Sequence, residues 1–207
     1  MSTAPTRRDV QREETRRRVY AAAIEVFRRE GVDEAKIEDV VALAGVSRGS
    51  FYFHFPTKDD VLALAYAEAV ADLVAKLASL PADTPIVSTL RAVAEHTGGQ
   101  WRDDPRIFVH VGLHALRSVT RTFPTGQREA IRLALESRFE RAVVLGEIQS
   151  PLPPALLADI FLLNTFSALL AWSAAPAMPL APVLEGVIAL FLHGAALSPG
   201  PVIGNGR

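Results

Sequence analysis

A chain of 207 residues with 49% apolar and 22% charged side chains has the length and apolar content for one large or two small packed domains, which excludes a disordered polymer. It has no cysteine, so disulfide scaffolds and thiolate metal sites are excluded, and the redox compartment cannot be read. Net charge is only -1, but residues 1–18 carry six arginines against three acids, while Asp159 alone is charged between Glu147 and Glu185. For a polyanionic partner that distribution matters more than the sum. No apolar run follows the N-terminal charges, so no signal peptide is expected and the expected location is cytoplasmic.

Residues 1–12 read as a flexible basic arm. Val19, Ala22, Ala23, Val26 and Phe27 then recur at helical spacing and Gly31 supplies a stop, which predicts a first helix over 13–30. Ile37, Val40, Val41 and Ala44 mark the inner face of a second short helix, 37–44, and Gly45 turns the chain. Ser47 is a good N-cap for a third helix from Arg48 to Phe53. Two short helices about a tight glycine turn form the helix-turn-helix pattern. Thr57 and Asp60 have capping-box spacing, and open a long helix with Leu62, Tyr66, Ala69, Leu73 and Leu77 on one face.

The remaining pattern is helical throughout. Ile86, Leu90, Val93 and Trp101 mark a fifth helix whose last turns Gly98 and Gly99 should loosen. A sixth starts at Asp104-Pro105 and continues through Ile107, Phe108, Val111 and Leu116. Residues 125–148 are amphipathic, with Ile131, Leu135, Phe139, Ala142 and Leu145 inward and the arginines and glutamates mostly outward. Residues 155–174 are apolar almost all round, and 181–196 form a last helix before a disordered tail, 198–207. The 155–174 segment is long enough to cross a membrane, but Asp159, Asn164, Thr165 and Ser167 interrupt it and basic flanks are absent. The expectation is a helix buried by its neighbours and by a second subunit.

The run VYAAAIEVFRREG followed by IEDVVALAGVSRGSFYFHFPTKDDVLALA resembles the DNA-binding domain of TetR-type transcriptional regulators over about residues 14–66. The resemblance implies an all-α chain: a three-helix helix-turn-helix domain, 13–57, followed by a helical effector-binding and dimerisation domain, 58–197. It implies a homodimer whose recognition helices enter successive major grooves of a palindromic operator, and a small molecule that releases the DNA, usually relieving repression.

By the same resemblance, double-stranded DNA is met by Lys36, Ser47, Arg48, Gly49, Ser50, Tyr52, Phe53, His54 and Lys58. Arg48 at the start of the recognition helix has the fork that suits guanine O6 and N7, worth about 1–3 kcal/mol of discrimination. Gly49 permits close backbone approach, and Ser50 reaches a base edge or phosphate. Phe51 and Phe55, four apart, read as core, whereas Tyr52 and His54 carry polar tips suited to phosphates. Phe53 replaces a more usual Tyr or Trp and offers apolar contact alone. Lys58 opens the fourth helix, where ammonium and helix amides together suit a phosphate. Lys36 stands where the family usually has a capping Thr; without a cap that helix start loses about 1 kcal/mol. The arginines of the arm either follow the minor groove or stay solvated.

For the effector, candidate pocket residues are the polar and aromatic ones within apolar helices: His96, Gln100, Trp101, His110, His114, Arg117, Asn164 and Trp172. They suit a hydrophobic or aromatic ligand. His110 and His114 share a helix face, but without a third ligand no metal site is expected, and no cofactor is expected. No paired carboxylates, nucleophile elbow or phosphate loop points to an enzyme. The competing reading is an all-helical small-molecule carrier or enzyme with an incidental basic N-terminus.

Overall fold

A computed structural model describes residues 6–102, 104–120, 126–174 and 178–195, without the side chains of 114–128, 194 and 195. The described residues form helices and connecting turns: α1 (Arg7–Glu30), α2 (Ile37–Ala44), α3 (Arg48–His54), α4 (Lys58–Ser79), α5 (Ile86–Trp101), α6 (Pro105–Thr120), α7 (Gly126–Val144), α8 (Pro154–Ala174) and α9 (Leu180–Ala195). The expected tail lies outside the described residues.

α1 starts well before the expected residue 13, so residues 7–12 of the expected basic arm are helix. Its cause is a capping box: the Thr6 hydroxyl accepts from the Asp9 amide at 3.3 Å, and the Asp9 carboxylate accepts from the Thr6 amide at 3.0 Å. The Thr6 hydroxyl, which donates to the Asp9 carboxylate at 2.6 Å, and then the Thr6 amide hold the Asp9 carboxyl below its usual pKa.

The chain divides into two compact units, and the division departs from the expected boundary at residue 57. The first unit comprises Met1–Tyr66 together with Asp104–Arg121, so α6 joins the amino-terminal helices rather than the second domain. An ion pair accounts for part of this: Arg28 of α1 donates from Nε and Nη2 to the two oxygens of Asp104, at 2.5 and 2.7 Å. The core of this unit comes from Val19, Ala23, Val26 and Phe27 of α1, Val40 of α2, Phe51 and Phe55 around α3, Val61 of α4, and Ile107 and Val111 of α6. Each fully buried phenylalanine contributes about 1.5–3 kcal/mol. The expected packing role of Phe51 and Phe55 is therefore seen directly.

The second unit comprises Ala67–Asp103 and Thr122–Arg207. α7 packs on α8, and α9 packs on α5 and α8. Phe191 is central, with its ring 5.8 Å from Phe139 and 5.3 Å from Phe161. Gly98 does not loosen α5: a Cβ there would lie 2.9 Å from a Leu184 methyl and 3.0 Å from a Leu180 methyl. The glycine is there for a close crossing with α9, and α5 continues to Trp101. Leu145, expected to point inward, lies beyond the end of α7 and is exposed.

α8 is long and apolar enough to cross a membrane by length and composition. It buries Leu157, Ala158, Phe161, Thr165 and Leu169, while Leu156 and Leu163 remain exposed. Among the described residues the Thr165 hydroxyl finds no hydrogen-bond partner.

Candidate nucleic-acid interface

The turn between α2 and α3 is built by two local devices. Gly45 adopts the left-handed conformation at φ 64°, which an L side chain rarely occupies, and its amide caps the end of α2. Ser47 then caps α3, its hydroxyl accepting from the Ser50 amide at 3.2 Å. Lys36 precedes α2 with no side-chain cap, as its chemistry requires.

With Phe51 and Phe55 buried, the other side of α3 is left to solvent. Arg48, Gly49, Tyr52 and Phe53 are exposed, and Ser50 and His54 are half-buried. A Cβ on Gly49 would meet nothing nearer than the Ser47 hydroxyl at 3.8 Å. Nothing inside the protein requires glycine there. Phe53 is 64% exposed, an unusual position for a phenylalanine on so small a helix.

Three arginines attend this surface. Arg48 donates from Nη1 to Glu38 of α2, and its Nη2 lies 3.5 Å from the Tyr52 hydroxyl. Arg12 of α1 lies 4.9 Å over the Phe53 ring, and Arg16 lies 5.4 Å from the Phe55 ring. Asp9, Arg12, Glu13, Arg16, Phe53 and His54 enclose an open cleft of about 380 Å³ between α1 and the end of α3. Burial first, and then the charges of Arg12 and Arg16, push the His54 imidazole below its usual pKa, while Glu13 opposes them. The sequence reading missed this use of Arg12 and Arg16, because it placed Arg12 in a flexible arm.

Lys58 is placed differently from its expected surroundings. Its ammonium donates to the carbonyls of Val32 at 2.8 Å and Asp33 at 3.0 Å, tying the α1–α2 turn to the start of α4. The neighbouring capping box is present: the Thr57 amide donates to Asp60 at 2.8 Å and the Asp60 amide to Thr57 at 3.3 Å.

The effector candidates are scattered. His96 and Gln100, one turn apart on α5, are 3.3 Å apart, and the Gln100 amide donates to the Ala69 carbonyl at 3.4 Å. Trp101 ends the same helix. His110 belongs to the first unit, 3.7 Å from Asp33, whereas His96 and Gln100 belong to the second. Asn164 is exposed on α8, and Trp172 donates to the Met178 carbonyl at 2.9 Å. The side chains of His114 and Arg117 lie outside the described residues.

Comparison with known proteins bears on both units unequally. Residues 19–65 match the family described as bacterial regulatory proteins, tetR family. The transcriptional regulator SrpR of Pseudomonas putida is 48% identical over 50 residues, 24% of each chain. The regulator CymR of the same species is 39% identical over 87 residues, 40% of this chain and 43% of its own. The chain thus aligns with about a quarter of SrpR and well under two thirds of CymR. Likeness of fold extends much further: Thermus thermophilus FadR, a TetR-family repressor solved with lauroyl-CoA, superposes with a TM-score of 0.68 at 22% identity over 91% of this chain and 99% of its own. FadR of Bacillus halodurans gives 0.70 at 18% identity over 93% and 97%. Residues 19–65, which hold the helix-turn-helix, thus match the tetR family of bacterial regulatory proteins, and the described helices as a whole share the fold of Thermus thermophilus FadR.

Proposed function

We propose that the protein is a transcriptional regulator that binds a palindromic operator as a homodimer, acts as a repressor, and is released from DNA by a small hydrophobic or aromatic effector. The observation that carries this reading is the division of α3 into a fully buried side, Phe51 with Phe55 beyond it, and an exposed side of Arg48, Gly49, Tyr52 and Phe53. Arg48 reads a guanine in the major groove, and Gly49 lets the helix backbone close on the duplex. Lys36, Ser47, Ser50, Tyr52 and His54 meet phosphates or neighbouring base edges, and Phe53 offers its ring to a thymine methyl. Lys58 has one N–H beyond its two carbonyl bonds, so it serves a phosphate while bracing the turn.

The second unit supplies the pairing surface. Leu156 and Leu163 of α8 and Leu190 of α9 are exposed apolar side chains on helices whose other sides are buried, which suits a second copy of the chain. His96, Gln100 and Trp101 are the pocket residues that stand together on one helix. FadR of Thermus thermophilus and of Bacillus subtilis were solved with lauroyl-CoA and stearoyl-CoA, which supports an apolar ligand class for a fold of this kind. Such a regulator works in the cytoplasm.

Gel retardation with duplexes from upstream of the gene tests the reading. The wild-type protein should retard one palindromic duplex in a salt-sensitive, sequence-dependent way. Arg48→Ala should weaken that binding by about ten- to a hundredfold, the cost of one lost bidentate base contact of about 1–3 kcal/mol, and relax the base preference. Binding that ignores both sequence and salt would remove the proposal.

A further inference from the structure

Glu38 is the anomaly on this surface. It lies on α2, its side chain 60% exposed, on the side of the helix-turn-helix from which Arg48 also projects. A carboxylate facing a duplex is repelled by every phosphate it approaches. Yet Glu38 accepts from Nη1 of Arg48, and the arginine is itself 62% exposed. An ion pair so open to water contributes little to folding, so stability does not account for its placement.

We infer that Glu38 is a specificity-setting residue of this interface, holding the Arg48 guanidinium so that it reads guanine rather than neutralising phosphate. The inference rests on the proposed DNA-binding role. Arg48 carries five N–H donors, and Glu38 takes one through Nη1. The Nη2 edge, now beside the Tyr52 hydroxyl at 3.5 Å, remains to fork onto O6 and N7 of a guanine without releasing the carboxylate. A phosphate offers Arg48 only what Glu38 already supplies, an anionic oxygen. Exchanging one for the other gains little and leaves Glu38 unpaired beside the DNA. The pair is neutral, so Arg48 adds nothing to the counterion release that drives binding to arbitrary sequence. Tyr52 completes the arrangement, its ring 5.7 Å beneath the guanidinium, which restricts the arginine from the other side.

The test measures affinity for an operator duplex and for a scrambled duplex across a salt series. Glu38→Gln keeps the shape and removes the charge. It should tighten binding to the scrambled duplex severalfold, steepen that salt slope by about one per subunit, and narrow the operator-to-scrambled ratio by about tenfold. Asp39→Asn removes another carboxylate from the first turn of α2 and is the control for lost helix-dipole pairing; its ratio should stay at the wild-type value. In an Arg48→Ala background, Glu38→Gln should no longer change the ratio, because there is no guanidinium left to release. An unchanged ratio in Glu38→Gln, an equal loss in Asp39→Asn, or additivity of Glu38→Gln with Arg48→Ala overturns the inference while the regulator reading stands. A wild-type protein that does not distinguish the two duplexes overturns the regulator reading itself.

Discussion

His54 is half-buried at the end of α3, facing Arg12 and Arg16 of α1 and, more weakly, Glu13, and its pKa is lowered from 6.5. The folded protein therefore resists protonating it. As pH falls through 6.5 the unfolded chain takes the proton first, so this group withdraws stability on acidification and contributes nothing above that pH. A phosphate docked on the imidazole reverses the local field. Operator binding should then take up a proton at His54, and affinity should rise severalfold between about pH 7.5 and 6, a dependence that His54→Gln should abolish. Fluorescence anisotropy titrations across that range check it; an identical pH profile in the variant would separate His54 from the DNA. Arg48 and His54 were legible because the SRGSFYFHF run places them by register. The surroundings of Lys58 were not, because its partners are the main-chain carbonyls of Val32 and Asp33, and no pattern of side chains announces a carbonyl.

Helix existence followed from apolar spacing, and several helix ends from caps such as Ser47 and the Thr57–Asp60 box. What spacing does not reveal is how one helix finishes another. Arg138 of α7 reinforces the end of α4: Nη2 donates to the carbonyls of Leu77 and Leu80 at 2.9 Å each, and Nη1 to Pro81 at 2.7 Å. Similarly, Glu147 accepts from the Ile86 amide at 2.6 Å, putting a carboxylate at the start of α5 where Pro85 offers no side-chain bond. On a helical wheel Arg138 reads as one more solvated charge. Because its charged guanidinium bonds three main-chain carbonyls at and just beyond the end of α4, Arg138→Ala should destabilise the protein by about 2 kcal/mol, read as a lower denaturant midpoint. Arg138→Lys should recover only part, since an ammonium cannot reproduce the fork.

At the scale of the whole molecule, the proposed regulator offers a small footprint per subunit and would draw its operator affinity from two copies. The apolar surfaces left on α8 and α9 are where those copies should meet. Sedimentation of the wild type should give twice 22.4 kDa. Leu190, 77% exposed on α9, is the direct probe. Leu190→Glu should weaken the dimer by at least about tenfold, or 1.4 kcal/mol, and weaken operator binding with it, while thermal unfolding of the subunit changes little. A wild-type monomer at every concentration would leave two-site reading without a basis. The effector pocket was barely legible, because a site for apolar ligands uses the same residue types as a core: His96 and Gln100 stand together, while His110 turned out to face Asp33.

The pair between Arg28 and Asp104 also bears on how the molecule is made. The amino-terminal unit contains Asp104–Arg121 and is interrupted by residues of the second unit, so the ribosome does not deliver it in one piece. At about 5–20 residues per second, α1 to α3 wait seconds for α6 to emerge. During that interval Arg28 has Glu25 beside it but not the carboxylate that later holds its other edge. The helix-turn-helix is synthesised well before α6, yet the unit it belongs to is completed only after α6 has been made.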